Sequence, residues 1–377
     1  MKTVLIVGAG IAGLTAAYWL NHYGFSVDVI EKSECPKKEG YLIDFWGAGF
    51  NVCEKMGILP LLSKKDFPLK HFIFIDAGGE IESSFSISEL RILQKQRVFT
   101  IFRGELEKIL YDSVSLLPVR TYTTIIRMEN STDGVMAYFN DETSKKYDLV
   151  IGADGAHSKT RECIFGDEKQ FSHYLGYQVA ACIQPCSAVL ERSLYTYSNI
   201  GKQATVCFLE NKRAATFYVY AEAAEKINNP EEKLIQAFRG SGWIMPELID
   251  QLKNVDTVFF DALSQINLPV WHKNRVVLIG DASHCLTLAA GQGASMAMAG
   301  AYILATLLHK NADHYQEAFL QYQNIMQPGM QHKQRESQKF LAGFIPQSDL
   351  VKQRRNFYTR YFFKAMFEKT AIEDFCD

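Results

Sequence analysis

Val4-Leu5-Ile6-Val7-Gly8-Ala9-Gly10-Ile11-Ala12-Gly13 is the stretch on which the fold of this chain turns. Four apolar residues in a row suit a parallel strand covered on both faces. A glycine turn follows, then helical spacing from Leu14 to His22, Gly24 as the helix stop, and a second strand from Ser26 to Ile30. In such a βαβ unit Gly8 permits the tight turn, Gly10 lets the backbone approach a pyrophosphate, and Gly13 lets helix and strand pack closely. Ile11 and Ala12 open the helix, whose free N–H groups and positive dipole end face the phosphates. Glu31, eighteen residues after Gly13 with Lys32 beside it, is placed to accept hydrogen bonds from a ribose. A carboxylate there disfavours a 2′-phosphate, so the resident dinucleotide is expected not to be NADP. The motif alone leaves FAD and NAD open.

At 377 residues the chain suits two lobes. A hydrophobic share of 47% with 22% charged residues is that of a folded globular protein. The 40 Lys and Arg nearly balance the 42 Asp and Glu, which argues against a nucleic-acid partner and for a small-molecule ligand. The eight cysteines (Cys35, Cys53, Cys163, Cys182, Cys186, Cys207, Cys285, Cys376) lack the spacing of a metal site or a disulfide framework. No metal is expected. Nothing before Val4 reads as a secretory signal, so the expected compartment is the cytoplasm. Ala282 to His309 contains no Lys, Arg, Asp or Glu, but His284, Gln292 and its glycines fit a buried helix over Ala294 to Leu308 better than a membrane span.

Further along, alternating stretches from His71 to Ile87 around Ala77-Gly78-Gly79 predict a hairpin. A helix is predicted from Arg103, strands near Arg120 to Glu129 and Val135 to Asn140, and another over Asp148 to Ile151. Ser172 to Asp261 is rich in Tyr, Phe, Val and Thr, with a helix near Pro230 to Arg239; Arg275 to Ile279 returns to strand, and the rest is helical. The expected class is α/β. A Rossmann-type nucleotide domain is assembled from 1–70, 101–170 and 272–345, an inserted antiparallel β-sheet substrate domain from 71–100 and 171–271, and a C-terminal helix from 346–377.

Two further segments carry a resemblance. Asp148-Leu149-Val150-Ile151-Gly152-Ala153-Asp154-Gly155-Ala156-His157-Ser158, followed by Arg161, resembles the strand-and-turn "DG" motif of class A flavoprotein monooxygenases related to para-hydroxybenzoate hydroxylase. Arg275-Val276-Val277-Leu278-Ile279-Gly280-Asp281-Ala282-Ser283-His284, then Ala290-Gly291-Gln292-Gly293-Ala294, resembles their "GD" motif. With the N-terminal glycines these stand in the family's order across essentially the whole chain. The resemblance implies noncovalent FAD. It implies that Asp281, after Gly280, bonds the ribityl and pyrophosphate region, and that Gly291, Gln292, Gly293 and Ala294 start a helix facing the flavin's pyrimidine end, where reduced flavin is negative. It gives Arg103 a place at the phosphates and ribose, Asp44 a flavin contact, and Asp154 a part in cofactor binding or in holding its own turn, with Arg161 serving the same segment. The family commonly has a proline where this chain has Leu288.

The reaction so implied is single-component monooxygenation: NADPH or NADH, bound transiently, reduces FAD, O2 adds to give a hydroperoxyflavin, and an oxygen passes to a phenolic or polycyclic substrate. Ile43-Asp44-Phe45-Trp46-Gly47 and the aromatic, basic terminal segment look most like the tetracycline-inactivating branch. Rival readings are a flavin halogenase or reductase on the same fold, or a non-enzymatic flavin-binding protein; Trp243-Ile244-Met245-Pro246 matches the halogenase motif only in part. Substrate contacts are expected from Gln178, Phe208 and Phe217, ahead of Tyr195 and Tyr220. No general base is assigned, since neither His157 nor His284 has an evident partner. The protein is expected to be a monomer, and Asp349 to Asp377 to form a helix lying across both lobes as a lid over the substrate.

Overall fold

The computed structural model describes residues 2–36, 41–223, 228–287, 291–311 and 313–368, the last seven by backbone alone. A six-stranded sheet runs in the order His272–Lys273, Val276–Leu278, Leu149–Gly152, Thr3–Val7, Ser26–Ile30, Val119–Arg120, and is parallel except at the first pair. The apolar run at Val4 has the expected cause. Val4 and Ile6 enter the core beneath helices Ile11–His22 and Gly293–Lys310, while Leu5 and Val7 pack on the opposite face. That second face is covered by an antiparallel three-stranded sheet, Ile125–Asn130, Val135–Phe139 and Ser144–Tyr147.

The other lobe is a seven-stranded sheet in the order Phe259–Ile266, Ser172–Pro185, Arg213–Ala221, Lys202–Leu209, Leu194–Asn199, His71–Ile75, Ile81–Ser86. It is antiparallel except where Leu194–Asn199 runs parallel to His71–Ile75. Helices Pro230–Phe238 and Met245–Gln251 cover one face, around Val206, Phe208, Tyr218 and Tyr220. Period-two alternation turns Thr205, Cys207 and Phe217 to the other face. The sequence pattern had not distinguished Met245–Gln251 as a helix.

The terminal helix, Asp349–Glu368, departs from expectation. It packs on the edge strand Ile81–Ser86 and the helix after it, Ile87–Leu93. Lys352 Nζ lies 2.7 Å from Glu82 Oε1, and nearly buried Arg355 sits 4.0 Å over the Phe74 ring and 3.8 Å from Glu82 Oε2. These contacts hold the helix against the sheet edge, and none of its described side chains lines the central cavity. The lid expectation is corrected accordingly for Asp349 to Tyr361; 369–377, with Cys376, lies outside the described residues. Among the described residues no helix is long and apolar enough to cross a membrane, and no group of three His, Cys, Asp or Glu side chains could hold a metal.

Candidate active site

One cavity of about 610 Å3 runs from the glycine turn of the six-stranded sheet to the open face of the seven-stranded one. Gly8, at φ 104°, donates its N–H to Ile30 O at 2.8 Å, and a Cβ on it would lie 2.5 Å from Ala153 O. A Cβ on Gly13 would stand 1.9 Å from Gly8 O, so helix and turn touch there. Gly10 differs: a Cβ would meet nothing within 4 Å, because the residue faces the cavity. No side chain caps the helix that Ile11 and Ala12 begin, leaving its first-turn N–H groups open. Glu31 Oε2 accepts the Ala9 N–H at 2.9 Å and Oε1 the Ser33 hydroxyl at 2.7 Å, which fixes the carboxylate at the rim beside Lys32.

The second motif also reaches the cavity. Gly280, at φ 59°, abuts Ala12, whose Cβ would be 3.0 Å from a Cβ on the glycine. Asp281 presents its carboxyl to the cavity with protein around it; burial raises its pKa and Arg103 pulls it back. Arg103 is held by Glu107, Nε to Oε1 at 3.0 Å, and donates from Nη1 to Tyr41 Oη at 3.3 Å. Gly291 lies at φ 62°, Gln292 caps the helix Gly293–Lys310 without a side-chain bond, and a Cβ on Gly293 would again meet nothing within 4 Å. Ala294 lines the same wall. Two uncapped helix N-termini and two glycine cradles thus face one elongated cavity, a donor set suited to a dinucleotide with a pyrophosphate and an electron-accepting ring. Leu288 and Ala290 lie outside the described residues.

Asp154 also borders the cavity, yet its oxygens are taken by Ser158 Oγ at 2.5 Å, Thr160 N at 2.8 Å and Thr160 Oγ1 at 3.0 Å, so it holds its own turn. Arg161 does more than serve that segment. Fully buried, it donates to Ala156 O at 2.6 Å, to Ala282 O at 3.0 Å and to Glu168 Oε2 at 2.8 Å, tying one motif to the other. His157 has the partners the sequence did not reveal, Glu168 at 2.9 Å and Asp261 at 3.1 Å. His284 stacks on Trp271 at 4.6 Å with Nδ1 2.7 Å from Ser283 Oγ, and burial pushes its pKa down to about 3.

Of the expected substrate contacts, Phe217 lines the cavity. Phe208 does not: it is buried on the opposite face against Tyr195 and Trp243, which also carries the partial halogenase motif away from the site. Gln178 instead bonds Tyr174 Oη at 3.3 Å, off the cavity. Asp44 lines the cavity on the sheet side of its strand, Leu42–Trp46. The cavity face of the seven-stranded sheet includes Leu194, Thr205, Cys207, Ala215 and Phe217, with Phe344 beside them, and its charged side chain there is Asp261, held by His157. Small residues on strands apolar on both faces gave the sequence reading no handle on Thr205 or Cys207.

The chain belongs to the FAD binding domain family, whose model matches residues 1–326. A flavin-dependent monooxygenase from an unknown prokaryotic organism is 30% identical over 354 residues, covering 92% of this chain and 91% of the relative. An uncharacterized protein of Mycobacterium tuberculosis is 31% identical, covering 85% and 89%. The crystal structure of tetracycline destructase Tet(55) superposes with a TM-score of 0.86 at 27% identity, covering 99% of this chain and 98% of that one. Tet(51) gives 0.82 at 26%, covering 99% of both. The protein is accordingly a class A FAD-dependent monooxygenase near the tetracycline-destructase branch, an oxidoreductase whose cofactor is FAD.

Proposed function

We propose that this monooxygenase draws electrons from NADH or NADPH and hydroxylates an electron-rich phenolic or polycyclic substrate, with tetracyclines as first candidates. The observation that carries the reading is the continuity of the FAD cavity with a largely uncharged wall of Leu194, Thr205, Cys207, Phe217 and Phe344, in which the carboxylate of Asp261 is matched by His157. Such a wall suits a neutral ring system bearing hydroxyl groups. The tetracycline destructase neighbours support the choice of polycyclic candidates. In this reading Gly8, Gly10, Gly13, Glu31, Arg103, Asp281, Gly291, Gln292, Gly293 and Ala294 hold FAD, which supplies the oxygen-activating chemistry when bound and reduced. The seven-stranded sheet and Phe344 orient the substrate and exclude water.

The test is a screen of NADH and NADPH oxidation by the FAD-loaded protein with tetracyclines and simple phenols side by side. A substrate-stimulated rate with a product heavier by one oxygen supports the reading. Reductant oxidation that no ring compound stimulates refutes it.

A further inference from the structure

Strand Leu42–Trp46 sends alternate side chains to two different places. Ile43 and Phe45 pack into the core of the nucleotide lobe. Leu42 and its cross-strand partner Phe102 instead join Leu194, Cys207 and Ala215 on the cavity face of the seven-stranded sheet. Asp44 shares Leu42's side of the strand. Its own cross-strand partner, Thr100, donates a hydroxyl to Asp44 Oδ1 at 2.7 Å. Among the described residues Oδ2 has no partner, and the open surface of this carboxyl belongs to the cavity, since protein surrounds it.

The charges behind Asp44 are already matched to one another. Arg91 engages Asp66 through two bonds, of 2.7 and 2.9 Å, and Asp66 Oδ1 accepts the Thr100 N–H at 2.9 Å. Asp44 therefore has no cation of its own. Burial is the largest influence and raises its pKa, the Thr100 bond and Arg91 oppose it, and Asp66 adds to the rise. On the facing sheet the titratable groups that line the cavity are Cys207, whose thiol burial pushes up to about 12, and Asp261, which His157 holds at 3.1 Å. Arg103 and Asp281 also line the cavity and act on each other. A carboxyl with a raised pKa and one free oxygen is suited to accept a proton from a hydroxyl bound beside it.

We propose that Asp44 meets the substrate and takes the proton of its ring hydroxyl at Oδ2. The substrate O–H bond breaks, its electron pair stays on the oxygen and enriches the ring toward oxygen transfer, and the proton bonds to Oδ2. That proton returns when the hydroxyl re-forms on the product. Thr100, Asp66 and Arg91 are positioning residues. The inference rests on the hydroxylase reading above.

The FAD-loaded protein is titrated with 4-nitrophenol, whose ionisation is followed by absorbance without any turnover. In the wild type the bound probe should ionise in two coupled steps, because it shares a proton with Asp44. Asp44→Asn should show one step and, with Asp44 read as a substrate residue in place of the flavin contact that the resemblance implied, keep its full FAD content. Thr100→Val removes a bond that favours the charged carboxyl, so the Asp44 step should move to higher pH. A single step in both proteins, no binding of the probe, an Asp44 step that Thr100→Val leaves in place, or loss of FAD from Asp44→Asn would each overturn the proposal. With a substrate that is turned over, Asp44→Asn should lower kcat by about 10²- to 10⁴-fold with little change in KM. A wild type that turns over no ring compound refutes the hydroxylase reading, while the titration still decides where Asp44 points.

Discussion

His157 Nε2 stands 3.1 Å from Asp261 Oδ1, which ties the turn after strand Leu149–Gly152 to strand Phe259–Ile266 of the other lobe. Glu168 holds the second ring nitrogen at 2.9 Å. Asp261 first, then Glu168, raise the pKa of His157 from 6.5 to about 9 against the cost of burial. A pKa raised on folding stabilises fully below the ordinary value and is lost as pH rises through the folded one. The ring is largely exposed, so screening limits the bridge to about 1 kcal/mol at most. His157→Gln should therefore melt about 1 °C below wild type near pH 6, and the gap should close above pH 9. A gap that is constant with pH would contradict this account.

Arg103 and Asp281 line the same cavity and act on each other, and both are expected to hold FAD. A charge-assisted hydrogen bond contributes about 1.5 to 3 kcal/mol, so Asp281→Ala or Arg103→Ala should weaken FAD binding by roughly ten- to a hundredfold. FAD content after extensive dialysis reads the effect. A variant that stays stoichiometrically loaded removes that residue from the binding set.

Three glycines at the starts of two helices should fail in different ways. Gly13→Ala puts a methyl 1.9 Å from Gly8 O and should destabilise the fold by more than about 2 kcal/mol. Gly10→Ala and Gly293→Ala meet no protein atom within 4 Å. Each should melt close to wild type in the FAD-free state and bind FAD more weakly, because the methyl enters the space a phosphate or ring would fill. Thermal melts of the FAD-free proteins separate the two outcomes.

This contrast also marks what the sequence could disclose. The N-terminal turn was legible because strand, glycines, helix and Glu31 are contiguous, and local geometry dictates their types. The same holds for Asp154 and Asp281, each set in a strand-turn-helix run. Phe208 and Gln178 were misplaced because strands Lys202–Leu209 and Ser172–Pro185 lie between two packed faces, so an aromatic residue does not disclose which face it takes. His157 seemed partnerless because Asp261 is 104 residues away in sequence. The terminal helix was misread because its composition suits a cover for any surface, and what fixes it, Glu82, lies in a distant hairpin.

Glu82 gathers the terminal helix. Its carboxylate accepts from Lys352 Nζ at 2.7 Å and from Asn356 Nδ2 at 3.0 Å and lies 3.8 Å from Arg355, while its backbone carbonyl accepts from Arg360. The groups are four-fifths buried or more at Glu82, Lys352 and Arg355, so solvent screens them weakly. Glu82→Ala leaves two cations without their carboxylate and should cost about 1 to 3 kcal/mol. Glu82→Gln keeps an acceptor for Asn356 and should fall between. Because the described side chains of the helix do not line the cavity, FAD content should stay at the wild-type level while limited proteolysis within Asp349 to Tyr361 accelerates. Loss of FAD from Glu82→Ala would instead mean that the helix supports the cofactor site, through the bond that Arg355 Nη1 donates to the carbonyl of cavity-lining Phe344 at 3.1 Å.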